Sequence, residues 1–234
     1  TLLVSLMCVN NELGTLTDIA AIGERVRQRG ALFHVDAAQA TGKVAIDLAS
    51  LAVDLMSFSA HKTYGPKGIG ALYVGERARG LIQAQIHGGG HEQGLRSGTL
   101  ATHQIVGMGS ALALAGVVMD EENRRIAGLA EQLREGLSSL PCVRLNGCAR
   151  QRVPHTLNLC IDHPWFNVES LAGSLAFSST SACNSASSAP SHVLLALGLD
   201  ATEAYRSIRL SLGRYTTLED VEAAIEAIRQ CLPQ

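Results

Sequence analysis

The fold is decided by the stretch Ala31-Leu32-Phe33-His34-Val35-Asp36-Ala37-Ala38-Gln39. Ala31 to Val35 is mainly apolar and predicts a strand, and a polar cluster follows it directly. A helix is predicted before it, over Asp18 to Gln28, because apolar residues recur at helical spacing and Gly30 supplies a stop. Strands separated by helices are typical of βαβ units and of a largely parallel sheet.

Polar clusters follow three of the strands predicted in the first half of the chain. In parallel sheets, ligands bind beyond the carboxyl ends of the strands, so we favour a shared site over simple turn residues. The other predicted strands of this half are residues 1–7, 53–59 and 69–74. The clusters are Asn10-Asn11, Asp36 to Gln39 and Ser59 to Lys62.

The second half predicts an α+β domain. A long helix, from His103 to about Leu140 and broken or kinked near Gly116, is expected to lead into it, so we divide the chain into residues 1–118 and 119–234. Thr217 and Asp220 have the spacing of a capping box. The predicted strands are 143–145, 155–161 and 207–212, and the predicted helices are 168–177 and 217–228.

Composition excludes several classes of function. Hydrophobic residues make up 47% and charged residues 17% of the 234 residues, which is ordinary for a globular protein. A net charge of −2 gives no indication of direct nucleic-acid binding. No apolar stretch approaches bilayer length and no signal peptide is recognisable, so we expect a cytoplasmic protein without a membrane partner. Because Thr1 opens directly in an apolar run, we expect the chain to be part of a longer polypeptide.

The six cysteines are dispersed without a C-x-x-C pair, so the sequence predicts no zinc or other metal site. Cys183 differs from the others because it lies in a run of small residues, Ser178 to Pro190, which predicts a mobile loop. We expect the remaining five to be structural or incidental: Cys8, Cys142, Cys148, Cys160 and Cys231.

Lys62 and Asp36 are the candidate chemical groups. Lys62 follows an apolar strand and precedes the rigid turn Gly65 to Gly68, so it can be desolvated and act as a Schiff-base nucleophile. A carboxylate at Asp36 would keep the pyridine nitrogen of a lysine-bound pyridoxal protonated, and Gln39 could donate to its phenolic oxygen. The alternatives are a solvated surface lysine and a helix N-cap at Asp36, but the combination favours the cofactor.

The ordered motifs of the chain resemble the IscS/NifS group of cysteine desulfurases, on the IscS side, from end to end. The resemblance implies a fold-type I PLP-dependent α/β transferase, with part of the large, mainly parallel-sheet domain followed by a smaller C-terminal α+β domain. The motifs that carry it are Val9-Asn10-Asn11-Glu12-Leu13-Gly14, His34-Val35-Asp36-Ala37-Ala38-Gln39, Ser59-Ala60-His61-Lys62, Gly65-Pro66-Lys67-Gly68, His87-Gly88-Gly89-Gly90-His91-Glu92, Arg96-Ser97-Gly98-Thr99, Ser181-Ala182-Cys183 and Ile208-Arg209-Leu210-Ser211-Leu212-Gly213-Arg214.

The resemblance also implies a set of residues that binds pyridoxal 5'-phosphate. Lys62 would carry the cofactor and then move a proton at the substrate Cα. Asp36 would pair with the pyridine nitrogen and Gln39 would contact the phenolic oxygen. Ser59 and His61 would help to hold the phosphate.

Substrate and partner residues are implied in the same way. Thr99 would reach the phosphate of a neighbouring subunit, which implies a homodimer. Asn11 would contact cofactor and substrate, and Arg209 would clamp the substrate carboxylate bidentately. Cys183 would attack the substrate sulfur as a thiolate and hold it as a persulfide.

The implied reaction converts L-cysteine to L-alanine and passes sulfur from Cys183 to an iron–sulfur scaffold or to a tRNA-thiolation acceptor. Two alternatives stay open: a related PLP lyase or aminotransferase, and an incomplete remnant that acts as a dimerisation or partner-binding module. The family places a ring-stacking histidine and a Gly/Thr phosphate loop before the position of Thr1. We therefore expect this chain alone to bind the cofactor weakly.

Overall fold

The computed structural model describes residues 1–179 and 189–232. It separates into two compact units, and each contains residues from two parts of the chain. The first unit is Thr1–Val9 with Thr17–Met119, and the second is Asn10–Leu16 with Asp120–Gln234. The sequence-based division after residue 118 differs from this one chiefly in the placement of residues 10–16.

A four-stranded sheet forms the centre of the first unit. Its strands lie in the order β1 (Leu3–Met7), β2 (Leu32–Asp36), β3 (Leu55–Ser59) and β4 (Gly70–Val74). The pairs β1–β2 and β2–β3 are parallel, whereas β3–β4 is antiparallel. The predicted α/β fold with a mainly parallel sheet is therefore confirmed, and β4 is its antiparallel edge.

Helix α1 (Ile19–Gln28) connects β1 to β2 in the first unit. The Asp18 side chain accepts a hydrogen bond from the Ala21 N–H at 3.0 Å and caps the helix, as its polar residue type favours. Ile19 and Val26 are buried, so the apolar spacing seen in the sequence does form the packed face.

Helix α2 (Thr102–Leu137) is a single helix of 36 residues. The predicted break near Gly116 is wrong, because a glycine in a helix weakens it without ending it when the surrounding residues favour helix. The prediction that no apolar stretch approaches bilayer length is also wrong. α2 contains an 18-residue window with a mean hydropathy of 1.4, of which 11% is buried. By length and composition alone, this helix could cross a membrane.

The second unit contains an antiparallel sheet in the order β5 (Val143–Leu145), β6 (Thr156–Ile161) and β7 (Ser207–Ser211). Its core is apolar and includes Ile126, Leu157, Ile161, Ile208 and Ile228. Three α-helices that follow α2 in the chain also belong to this unit. They are α3 (His192–Ala196), α4 (Ala201–Tyr205) and α5 (Leu218–Gln230).

Two helix predictions in this unit have different outcomes. The capping box of α5 is present, with Thr217 and Asp220 bonded reciprocally. The predicted helix over 168–177 is wrong, because the structure has a short 3₁₀ helix, Val168–Leu171. Ala172 turns to an extended conformation and Gly173 takes a φ of 95°, so helical geometry stops there.

Candidate active site

The carboxyl edge of the parallel strands carries Asp36. Asp36 is the last residue of β2 and lies between Met7 of β1 and Ser57 of β3 in register. On the same strand, His34 hydrogen-bonds to Ser5 through Nδ1 at 2.7 Å and to Ser57 through Nε2 at 2.8 Å. These side-chain bonds cross all three parallel strands and fix the strand that presents Asp36.

Asp36 does not cap an α-helix. Residues 38–43 form turns, and the Oδ1 atom of Asp36 accepts a hydrogen bond from the Ala38 N–H at 2.8 Å. This bond orders the half-buried carboxylate in an Asx turn at the end of the strand. The helix N-cap alternative is therefore wrong, and a carboxylate at a ligand-binding edge remains.

Lys62 lies in a short 3₁₀ helix, Ala60–Thr63, which begins directly after β3. Tyr64 ends this helix in the left-handed conformation, with a φ of 62°. The Gly65 N–H then donates to the carbonyl oxygen of Ala60 at 2.9 Å. A Cβ atom at Gly65 would lie 2.9 Å from that oxygen, so the Gly-Pro turn requires glycine here.

The other phosphate candidates are Ser59, His61 and Thr99. The Oγ atom of Ser59 and the Nδ1 atom of His61 are 3.1 Å apart, so these two side chains form one polar pair at the end of β3. Thr99 is exposed and follows the glycine-rich loop. Buried Ser97 holds that loop by accepting a hydrogen bond from the Gly90 N–H at 3.2 Å.

Sequence reasoning missed Lys43, which lies beside Gln39. The Nζ atom of Lys43 donates to the Oε1 atom of Gln39 at 3.2 Å. Burial, and in second place the positive charge of Lys62, lower the pKa of Lys43 to about 8. The four-residue spacing of Gln39 and Lys43 could have indicated this contact. Such a spacing brings side chains together only in a helix or a compact turn, and the sequence did not show that one forms here.

Arg209 and Asn11 are brought together in the second unit. Arg209 lies on β7 and donates through Nη1 to the carbonyl oxygen of Asn11 at 3.0 Å. Its Nη2 atom donates to the Oγ atom of Ser178 at 3.0 Å. Its Nε atom is buried and has no hydrogen-bond partner among the described residues. A held guanidinium with a remaining N–H can accept a carboxylate as its ligand.

Cys183 lies outside the described residues. On both sides of it in the chain, Ser178 and Ser191 are held in the second unit. Ser178 exchanges two backbone hydrogen bonds with Arg209, of 2.7 and 3.1 Å. Ser191 donates through Oγ to the Oε2 atom of buried Glu12 at 2.6 Å. The predicted mobility of the surrounding loop also falls on these residues and stays a prediction.

Three of the other cysteines differ in their environment. Burial raises the pKa of Cys8 and of Cys160, which keeps both thiols protonated and unreactive. Cys148 is exposed, and backbone N–H groups of Gln151 and Arg150 lower its pKa. The Cys148 thiol therefore ionises more readily than the two buried thiols. The sequence did not indicate this difference.

A mainly parallel α/β sheet with a lysine and an aspartate at its carboxyl edge is the arrangement of a PLP-dependent fold of type I, and solved NifS-like structures share this fold. The chain belongs to the aminotransferase class-V family, which matches residues 1–224. This family depends on pyridoxal phosphate.

Individual relatives show which members of the family the chain resembles. The chain is 60% identical over 231 residues to "Cysteine desulfurase IscS" of Azotobacter vinelandii strain DJ, covering 97% of this chain and 57% of that one. It resembles the solved "NifS-like protein from Rickettsia africae ESF-5" at 35% identity and a TM-score of 0.86, covering 98% of this chain and 61% of that one. It also resembles "SspA in complex with cysteine" at 36% identity and a TM-score of 0.74, covering 92% and 60%. The chain thus spans about three fifths of the relatives that it matches.

The residues of the first unit fit a pyridoxal phosphate group. An amine, a carboxylate, an amide and a hydroxyl–imidazole pair lie at one sheet edge, which are the donors and acceptors that its aldehyde, pyridine nitrogen, phenol and phosphate require. Lys43 adds a second cation beside Lys62 at this edge. Such a lowered lysine pKa is typical of functional sites rather than of solvated surface.

Proposed function

We propose that this chain is part of a cysteine desulfurase that converts L-cysteine to L-alanine and holds the sulfur on Cys183. The observation that carries the proposal is the placement of Lys62 directly after β3, next to the strand that ends in Asp36, in a chain 60% identical to an IscS desulfurase. Pyridoxal phosphate, when bound, supplies an electron sink for the substrate Cα.

The side chains of the first unit have separate tasks in this proposal. Lys62 binds the cofactor and moves a proton at the substrate Cα. Asp36 holds a proton at the pyridine nitrogen, because a carboxylate stabilises the positive charge there. Gln39 donates to the phenolic oxygen, while Ser59 and His61 bind the phosphate.

The second unit supplies substrate recognition and the nucleophile. Arg209 binds the substrate carboxylate through the N–H that its protein partners leave available, and Asn11 assists. The Cys183 thiolate attacks the substrate sulfur, so that a sulfur–sulfur bond forms and the carbon–sulfur bond breaks. The electron pair stays with carbon, which takes up a proton and leaves as alanine.

The absorption spectrum of the purified protein tests cofactor binding. A band at about 400 nm that borohydride abolishes, and that a Lys62→Ala variant lacks, is the expected result. Excess pyridoxal phosphate is added, because we expect this chain alone to bind it weakly. A protein that shows no band even then would contradict the proposal and favour the alternative of a partner-binding remnant.

A Cys183→Ser variant tests the nucleophile. We expect it to bind the cofactor normally and to form no persulfide from L-cysteine. Cys148→Ser is the matched control, because Cys148 is the exposed thiol of the described residues whose pKa is lowered. Sulfur release that survives unchanged in Cys183→Ser would instead indicate a related PLP lyase.

We also propose that the protein is a homodimer in which Thr99 reaches the phosphate of the neighbouring subunit. The first half of α2 supports an interface, because it exposes Val106, Leu114 and Val117 by 67%, 50% and 84%. No Asp, Glu, Lys or Arg occurs in residues 102–119. Light scattering should give a dimer for the wild type and a weakened dimer for Val117→Asp, and a monomeric wild type would refute this part.

The sulfur acceptor is proposed to be an iron–sulfur scaffold or a tRNA-thiolation protein, with the reaction in the cytoplasm. The IscS names of the relatives support the first acceptor. Incubation of the Cys183 persulfide form with each purified acceptor, followed by mass spectrometry, tests the choice. Transfer to neither acceptor would contradict it.

A further inference from the structure

Lys43 and Gln39 lie in one compact turn that follows β2. The N–H groups of Ala40 and Thr41 donate to the carbonyl oxygen of Ala37, at 2.9 and 3.2 Å, and the Lys43 N–H donates to that of Ala40 at 2.9 Å. Ala37 and Ala40 are fully buried, so this backbone is fixed. The four-residue separation within the turn places the Nζ atom of Lys43 at 3.2 Å from the Oε1 atom of Gln39.

The same turn packs against the 3₁₀ helix that carries Lys62. The Thr63 hydroxyl donates to the carbonyl oxygen of Thr41 at 3.4 Å. Gly42 has a φ of 72°, and a Cβ atom there would lie 3.0 Å from the Thr63 methyl group. Because Gly42 has no side chain, the two segments approach closely and bring Lys43 within the electrostatic range of Lys62.

The contact with Lys43 decides how the Gln39 amide is oriented. A protonated lysine has three donors and no acceptor, so the amide atom that faces it must be oxygen. The NH₂ group of Gln39 then faces away from Lys43. An amide without such a neighbour can rotate by half a turn and present oxygen where a donor is needed.

Burial makes a purely surface role for Lys43 a poor explanation. The side chain is only partly exposed, and desolvation lowers its pKa to about 8. A lysine at the surface keeps its amine in water and avoids this cost. Lys43 is instead held in the turn, where it lies within electrostatic range of Lys62 and donates to Gln39.

We propose that Lys43 is a positioning residue, which fixes the Gln39 amide with its NH₂ group ready to donate to the phenolic oxygen of the cofactor. The inference rests on the proposed function, since it concerns the same cofactor. It adds that Lys43 acts through Gln39, not by contact with the cofactor. We therefore expect the loss of Lys43 to weaken cofactor binding mainly when the Gln39 amide is present.

A double-mutant cycle on cofactor binding tests this dependence. The dissociation constant of pyridoxal phosphate is measured by titrating the visible absorption of the apoprotein for the wild type and each variant. Lys43→Met should weaken binding by about fivefold, the value of one hydrogen bond. Lys43→Arg, which keeps a charged donor, should restore most of the affinity. The variants are Lys43→Met, Lys43→Arg, Gln39→Leu, Lys43→Met with Gln39→Leu, and Lys67→Met as the control at an exposed lysine.

Two results of the cycle would overturn the inference. One is a Lys43→Met protein that binds the cofactor like the wild type. The other is a Lys43→Met substitution that weakens binding as much in the Gln39→Leu protein as in the wild type. This result would show that Lys43 acts independently of Gln39. A wild type that binds no cofactor refutes the proposed function instead, and the next experiment separates the two cases.

The apoprotein provides a readout that needs no cofactor. If Lys43 donates to Gln39, the ¹³C chemical shift of the Gln39 side-chain carbonyl follows the titration of the amine, with a midpoint of about 8. The shift should show no such transition in Lys43→Met and should keep it in Lys67→Met. A Gln39 signal that is flat from about pH 6 to 10 in the wild type would refute the contact itself.

Discussion

Replacement of Lys43 by methionine should stabilise the folded protein near neutral pH. Its pKa is lowered from 10.5 to about 8, and each pH unit corresponds to about 1.4 kcal/mol, so the buried charge opposes folding by about 3 kcal/mol. Methionine has a similar unbranched shape and carries no charge. The carbonyl of Gln39 loses its donor, at a cost of about 1 kcal/mol, which leaves a net gain of about 2 kcal/mol.

The pH dependence of this gain identifies its cause. The pKa of Lys43 is lower in the folded than in the unfolded protein, so the unfolded chain binds more protons between about pH 8 and 10.5. The cost of the charge is therefore fully present below about pH 8 and disappears as the pH rises to 10.5. The stability advantage of Lys43→Met should shrink over the same window.

Thermal unfolding of the apoprotein at several pH values measures both effects. For a chain of this length, a gain of about 2 kcal/mol raises the melting temperature by about 4 to 8 °C. Lys67→Met is the control, because Lys67 is exposed and should change little. A Lys43→Met protein that is less stable than the wild type, or a gain that does not vary with pH, would refute the reasoning.

Three further predictions concern other groups. Asp36→Asn should lower kcat by about a hundredfold or more, since the amide cannot stabilise a protonated pyridine nitrogen, and steady-state assays with cofactor present check this. Arg209→Lys should raise the KM for L-cysteine by about tenfold. The guanidinium of Arg209 donates to two protein oxygens and keeps a further N–H, and a lysine amine cannot replace this planar set of donors. An unchanged KM would contradict the role of Arg209. Cys148, whose pKa is lowered by the Gln151 N–H, should react with iodoacetamide at lower pH than Cys8, whose pKa is raised by burial, and mass spectrometry of a pH series would show equal rates if this were wrong.

Much of the candidate site in the first unit could be predicted because it depends on local pattern. A polar residue directly after an apolar strand of a parallel sheet must lie at the carboxyl edge, which places Asp36 and the segment that carries Lys62. Caps are equally local, so the capping box of Thr217 and Asp220 could be assigned from its spacing in the sequence. Periodicity failed over 168–177, where Gly173 takes a left-handed conformation that apolar spacing does not reveal.

By itself, the sequence determined which chemical groups this protein carries and which strand ends present them, because strand order and side-chain type follow from short-range pattern. Only the tertiary structure decided how those groups are held. The lowered pKa of Lys43 arises from burial and from a charge 19 positions along the chain, and Arg209 obtains its partners from Asn11 and Ser178. Desolvation and hydrogen-bond orientation depend on atoms that are distant in sequence, so they appear only when the chain has folded.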